Sequence, residues 1–269
     1  NRPARWSHQW QTGGPMLMAK PALKWSHSPG SRQTTANLAT PHIQDIAENA
    51  GVGRNVQTMT NMKARAAHWN ERYRSVGAEH VSWFEPEPNQ SLALVQLVAA
   101  DHNASVIDIG GGASSLAGCL LERGHTDVSV LDVSKEALDA AKARLPKPEL
   151  VTWIQADLLE WTPDRRWRIW HDRAVFHFLT EQRDRATYRS LLHRAIEPGG
   201  AAIIATFGQD GPTSCSGLPV ARYSVEALAA EIGPGFTLIG SGGYDHHTPA
   251  GVTQKFAWVV LRAEGTSPN

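Results

Sequence analysis

The sequence predicts an α/β domain on a doubly wound, mostly parallel sheet of seven strands, finished by an antiparallel C-terminal hairpin. Three observations predict it. Between 105 and 232, short apolar runs alternate with helical patterns about a dozen residues long, which is how βαβ units read in sequence. The first of these runs ends in the triple glycine Gly110-Gly111-Gly112. The last two runs, 236–240 and 256–262, have no helical pattern between them, so they should pair antiparallel at one edge.

The elements follow in order. Residues 63–74 and 90–100 read as helices separated by Pro86 and Pro88. A strand at 105–109 leads to a helix at 115–123, closed by Gly124, a residue free to adopt the left-handed turn after a helix. After a strand at 128–133, Ser134 should cap a helix to Leu145, with Leu138, Ala141 and Leu145 on one face. Pro146 and Pro148 end it. Strands are expected at 150–155 and 167–171. Thr180 should cap a helix to Ile196 that stops at Pro198-Gly199-Gly200. A strand at 201–207 and a short helix from Ser224 to Ile232 precede the hairpin.

Residues 1–58 carry Pro3, Pro15, Pro21, Pro29 and Pro41 and hold no persistent period. They are expected to be a disordered or artefactual extension, because such a segment cannot offset its ordering entropy. Arg2, Arg5, Lys20, Lys24 and Arg32 stand among the first 44 residues without an acid, which leaves a transit-like leader as the rival reading. The domain is expected to span 59–269, with a helical lid at 63–100.

Apolar residues are 41% and charged residues 19% of the 269, a globular composition with room for a core. Formal net charge is zero, and the five basic residues before position 45 leave an acidic excess beyond it. That balance argues against a nucleic-acid partner held by charge. No run is long enough for a membrane span. Cys119 and Cys215 make neither a disulfide framework nor a zinc pattern, and a cytoplasmic location is expected.

The chemistry concentrates at strand ends. Val106-Ile107-Asp108-Ile109 runs into the triple glycine. Glycine lets a ligand approach the backbone, and the next helix offers free N–H groups. A dinucleotide fingerprint would want glycine at 115, where Ser stands. Asp108, two residues before the first glycine, suits a cationic amino-acid moiety better than a pyrophosphate. Asp132 lies 22 residues after Gly110, the place of a carboxylate that accepts from ribose hydroxyls. Asp157, in Gln155-Ala156-Asp157-Leu158, closes the third strand.

These residues resemble the class I S-adenosyl-L-methionine-dependent methyltransferases, which have a Rossmann-like fold, over about 65–262. The ordered set DIGGG, LDVS, QADLL and EPGGAAIIATF carries the likeness. The resemblance implies that Asp108, Gly110, Gly111 and Gly112 flank the methionine part of S-adenosyl-L-methionine. It implies that Asp132 binds the ribose, that Asp157 and Leu158 lie beside the adenine, and that Val133 also touches the cofactor. Trp69, Tyr73 and Trp83 lie in segments similar to the lid of thiopurine methyltransferases, and some protein-lysine methyltransferases also begin with a W-x-x-x-Y helix. Their rings could face the sulfonium or simply pack the helix on the sheet.

The segment from His171 to Phe178, HDRAVFHF, and the later CSGLPVARY resemble a bacterial methyltransferase subgroup. The fourth-strand segment is expected to face the transferred methyl, with His171 also touching the cofactor. His171, Asp172, Arg222 and Tyr223 are the expected catalytic or acceptor-binding groups. Asp172 could instead pair with Arg173 or cap a turn, and His177 reads as a core histidine. Cys215 is expected to be neither nucleophile nor ligand. Asp245, His246 and His247 lack a further ligand at metal spacing. The expected acceptor is a small molecule, possibly a thiol, with a protein lysine as the alternative. A non-catalytic cofactor-binding module is a more distant alternative.

Overall fold

The computed structural model describes residues 62–265. The expected extension at 1–58 lies outside them. Seven strands form one sheet in the order β3-β2-β1-β4-β5-β9-β8. They are β1 (Val106–Ile109), β2 (Val128–Asp132), β3 (Val151–Gln155), β4 (Trp167–Arg173), β5 (Ile196–Phe207), β8 (Phe236–His247) and β9 (Thr253–Ala263). Strands β1 to β5 run parallel, and β9 is antiparallel to both β5 and β8. A small ribbon, β6 (Ser214–Cys215) with β7 (Leu218–Pro219), stands apart from the sheet.

The helices are α1 (Met62–Val76), α2 (Asn89–Val98), α3 (Leu116–Glu122), α4 (Lys135–Arg144), α5 (Gln182–Ala195) and α6 (Val225–Ile232). Period-two alternation divides the core. Val106, Val128, Val130, Ile169, Ile203 and Val260 pack with α2, α3 and α4 on one face. Ile107, Ile109, Leu131, Trp170, Ile204 and Val259 pack with α5 and α6 on the other. Burying each large apolar side chain contributes roughly 1.5–3 kcal/mol.

Two caps form as expected. The Ser134 hydroxyl accepts from Ala137 N at 3.2 Å and that of Ser224 from Ala227 N at 3.1 Å, each worth about 1 kcal/mol. Three expectations change. Glu181, not Thr180, precedes α5, because the chain up to Leu179 is used in a tight 3₁₀ turn at Phe176–Phe178. Pro198-Gly199-Gly200 lies inside β5, where β4 pairs Trp167 with Ile196 and then Ile169 with Ala201. The extra residues bulge there, helped by a left-handed Gly199 (φ 71°). The C-terminal strands are also far longer than their apolar runs.

Candidate active site

The carboxyl ends of the parallel strands share one rim, where ligands of doubly wound sheets bind. A cavity of about 540 Å³ opens there. Over β2 and β3 it is lined by Asp132, Val133, Asp157 and Leu158; over β5 and β9 by Phe207, Cys215, Leu218, Gln254 and Phe256. Helix α1 and the loop after it contribute Arg65, Trp69, Tyr73 and Trp83. A cleft of about 40 Å³ adjoins it and shares Trp83, Gly110 and Arg173. Asp108, Gly111, His171, Ser91 and Glu85 line the cleft.

The glycine turn is sterically obligatory. Gly110 (φ 62°) and Gly112 (φ 41°) are left-handed. A Cβ at Gly110 would stand 2.1 Å from Val175 Cγ2, and one at Gly111 2.5 Å from Asp108 Oδ2. Asp132 is buried, and its Oδ1 accepts from Ser134 N at 2.7 Å. Burial, with the Asp108 charge as a smaller cause, pushes its pKa up to about 7. Asp157 Oδ2 accepts from Arg65 Nε at 2.5 Å, and Oδ1 from Leu159 N at 3.0 Å.

Aromatic side chains meet edge to face above the rim. Trp69 is 5.2 Å from Phe178 and 5.8 Å from Trp83, and Tyr73 is 5.9 Å from Trp83. Trp83 Nε1 donates to Tyr73 Oη at 3.2 Å. Arg173 fastens the lid loop to the sheet, donating to the Trp83 carbonyl, Glu85 Oε1 and Tyr244 Oη, each at 2.9 Å. His246 binds the same Glu85 oxygen at 2.8 Å and the Ser82 carbonyl at 2.7 Å. It thereby serves this anchor, and among the described residues no cluster could hold a metal ion.

The four expected catalytic groups do not line the large cavity. Strand β4 continues to Arg173, so alternation sends His171 toward α2 and Asp172 toward α5. His171 bonds Asp108 and Ser91. Asp172 accepts from Tyr188 Oη at 2.8 Å and from the N–H groups of Val175 and Phe176. Burial lifts its pKa to about 6. Arg222 donates to the carbonyls of Gln209 and Gly211, and the Tyr223 ring lies tilted against Phe176 in the core, with centroids 5.7 Å apart. Gly112 packs under Asp132 and Tyr73. His177 is buried, and desolvation holds its pKa down at about 3. Among the cavity-lining residues missed were Phe178, Phe207 and Phe256. Phe207 carried one signal, an aromatic at the carboxyl end of a core strand.

A family model described as a methyltransferase domain matches residues 106–200. Over that stretch the chain resembles the class I S-adenosyl-L-methionine-dependent methyltransferases. Its trans-aconitate 2-methyltransferase relative from Azoarcus sp. (strain BH72) is 35% identical over 112 residues, covering 41% of this chain and 42% of that protein. The chain thus spans about two fifths of that curated relative's length. Solved methyltransferase folds superpose more fully. One, described as conversion of a disulfide bond into a thioacetal group during echinomycin biosynthesis, has a TM-score of 0.62 at 20% identity, covering 75% of this chain and 94% of that one. A SAM-dependent methyltransferase from Anabaena variabilis ATCC 29413 has a TM-score of 0.57 at 17% identity, covering 74% and 95%. The glycine turn, the buried carboxylates in β1 and β2, and the aromatic rim form a set of groups suited to a sulfonium nucleoside. Among the described residues, no helix is long and apolar enough to cross a membrane.

Proposed function

We propose that this chain is an S-adenosyl-L-methionine-dependent methyltransferase that transfers the methyl group to a small, largely apolar acceptor whose nucleophile is already anionic, a thiolate or a carboxylate. The carrying observation is the character of the cavity over β5 and β9. Phe207, Phe256 and Leu218 wall it, and the Arg173 guanidinium stands at its edge. Asp132, Asp157, Glu181 and Asp184 line the cavity from other elements, whereas the described lining residues contributed by β5, β6, β7 and β9 include no carboxylate or imidazole to take a proton. An acceptor that arrives deprotonated needs none. The curated relative's name refers to a carboxylate, trans-aconitate, in keeping with this chemistry.

When bound, S-adenosyl-L-methionine supplies a methyl activated on a sulfonium. Asp132 accepts from the ribose hydroxyls, Val133 and Leu158 flank the base, and Asp157 reaches its edge alongside Arg65. Trp69, Trp83 and Phe178 offer rings to the cation and exclude water. The chain's contribution is proximity, orientation and desolvation. Neither the lysine alternative nor a purely cofactor-binding module has a specific observation of its own. Incubation with methyl-labelled cofactor and matched panels of thiols, carboxylates and amines tests the reading. Label is expected in a small thiol or carboxylate; label only in amines or protein bands overturns it.

A further inference from the structure

The cleft beside the glycine turn contains a relay of three buried side chains. Ser91 on α2, His171 on β4 and Asp108 on β1 are 4%, 3% and 3% exposed. His171 Nδ1 lies 2.7 Å from Asp108 Oδ1, and Nε2 lies 2.9 Å from Ser91 Oγ. A carboxylate only accepts, so Nδ1 carries the proton, and in the neutral ring Nε2 accepts from the serine hydroxyl. The three meet because Asp108 and His171 pair across β1 and β4 and point to the face covered by α2. Asp108 Oδ2 is left toward Gly111.

With Asp108 taken, as the resemblance implies, to face the amino-acid part of the cofactor, we propose that His171, held by Ser91, is a positioning residue that fixes this carboxylate and so sets how strongly the cleft prefers ligands that carry that moiety. The proposal rests on the functional reading above. At about 40 Å³, the cleft has room for two or three water-sized groups, the scale of an ammonium beside a carboxylate. Arg173 stands at its other side, so the lining pairs one cationic with two anionic groups, Asp108 and Glu85. A carboxylate fixed by a ring bond loses no side-chain freedom when it binds, and so binds more tightly.

Calorimetry compares two ligands: S-adenosyl-L-homocysteine, and 5′-methylthioadenosine, which lacks the amino-acid moiety. His171→Leu is expected to weaken homocysteine-ligand binding at least tenfold and leave methylthioadenosine binding unchanged. Ser91→Ala should weaken the first ligand about threefold. His171→Asn, whose side-chain amide can restore the donor to Asp108, should recover part of the loss. Equal loss for both ligands marks a merely structural role and overturns the proposal; so does loss for neither. Should His171→Leu fail to fold, Ser91→Ala, which removes one hydroxyl, decides on the same criterion. Binding of S-adenosyl-L-homocysteine by the unaltered protein tests the underlying reading separately: without it that reading fails, whereas with it a failure of the variants to discriminate falls on the relay alone.

Discussion

Gly112 and Asp132 compete for one volume: a Cβ on the glycine would stand 2.7 Å from Oδ2 of the carboxylate. Tyr73 Oη closes the same space at 2.9 Å. Gly112→Ala must therefore displace Asp132 and also strain a left-handed backbone, at about 1–3 kcal/mol. It should weaken cofactor binding at least tenfold, read by calorimetric titration, with a melting temperature lowered by several degrees.

Asp132 should oppose stability and favour function. Its pKa is raised from 3.8 to about 7 in the fold, first by burial. A raised carboxyl contributes stability below its unfolded value and loses it as pH rises through the folded one. The ligand-free protein should thus lose stability between about pH 4 and pH 7 through this group. Asp132→Asn should raise stability above pH 7 by on the order of 1–3 kcal/mol, with little change near pH 4, while cofactor affinity falls at least tenfold. Melting curves across pH, paired with titrations, check both signs.

Asp172 should behave as a structural acid. Removing its carboxylate strands the N–H groups of half-buried Val175 and buried Phe176 and the Tyr188 O–H, whose oxygen still accepts from Trp170 Nε1. Each stranded group costs about 1–3 kcal/mol. Asp172→Ala should sharply lower the denaturant midpoint. Under conditions where the variant stays folded, turnover per active site, counted by bound cofactor, should remain within about threefold.

Trp69 should matter for rate more than for stability. It is half-buried and touches Trp83 and Phe178 edge to face. Trp69→Ala should lower kcat/KM for the acceptor by about 10–100-fold, with less than about 1.5 kcal/mol lost in stability, since an aromatic pair adds only about that much. Steady-state kinetics alongside denaturant melts separates the two.

Much of the fold could be read from the chain because strand and helix periods alternate cleanly from Val106 to Ile232. The acids after the strands could be read too, since Asp132 and Asp157 end short apolar runs. Their roles toward the cofactor remain part of the proposal. What escaped was set by tertiary pairing. Two more residues of β4 turn His171 and Asp172 onto opposite faces, and no local pattern announces where a buried strand stops. The Phe207–Phe256 contact, with rings 5.0 Å apart, exists only because β9 reverses against β5 and pairs those two residues.

That reversal divides the catalytic unit along the chain. The matched methyltransferase domain ends at residue 200, before Phe207, Cys215, Leu218 and Phe256. The carboxylates proposed for the cofactor all precede that boundary, and these four cavity-lining residues all follow it. On the proposed reading, a chimaera joined within β5 exchanges the lining that meets the acceptor and keeps the carboxylates that hold the cofactor. The chain from the end of β5 through the ribbon to the hairpin becomes a cassette for changing substrate preference, and β5 the seam along which to cut.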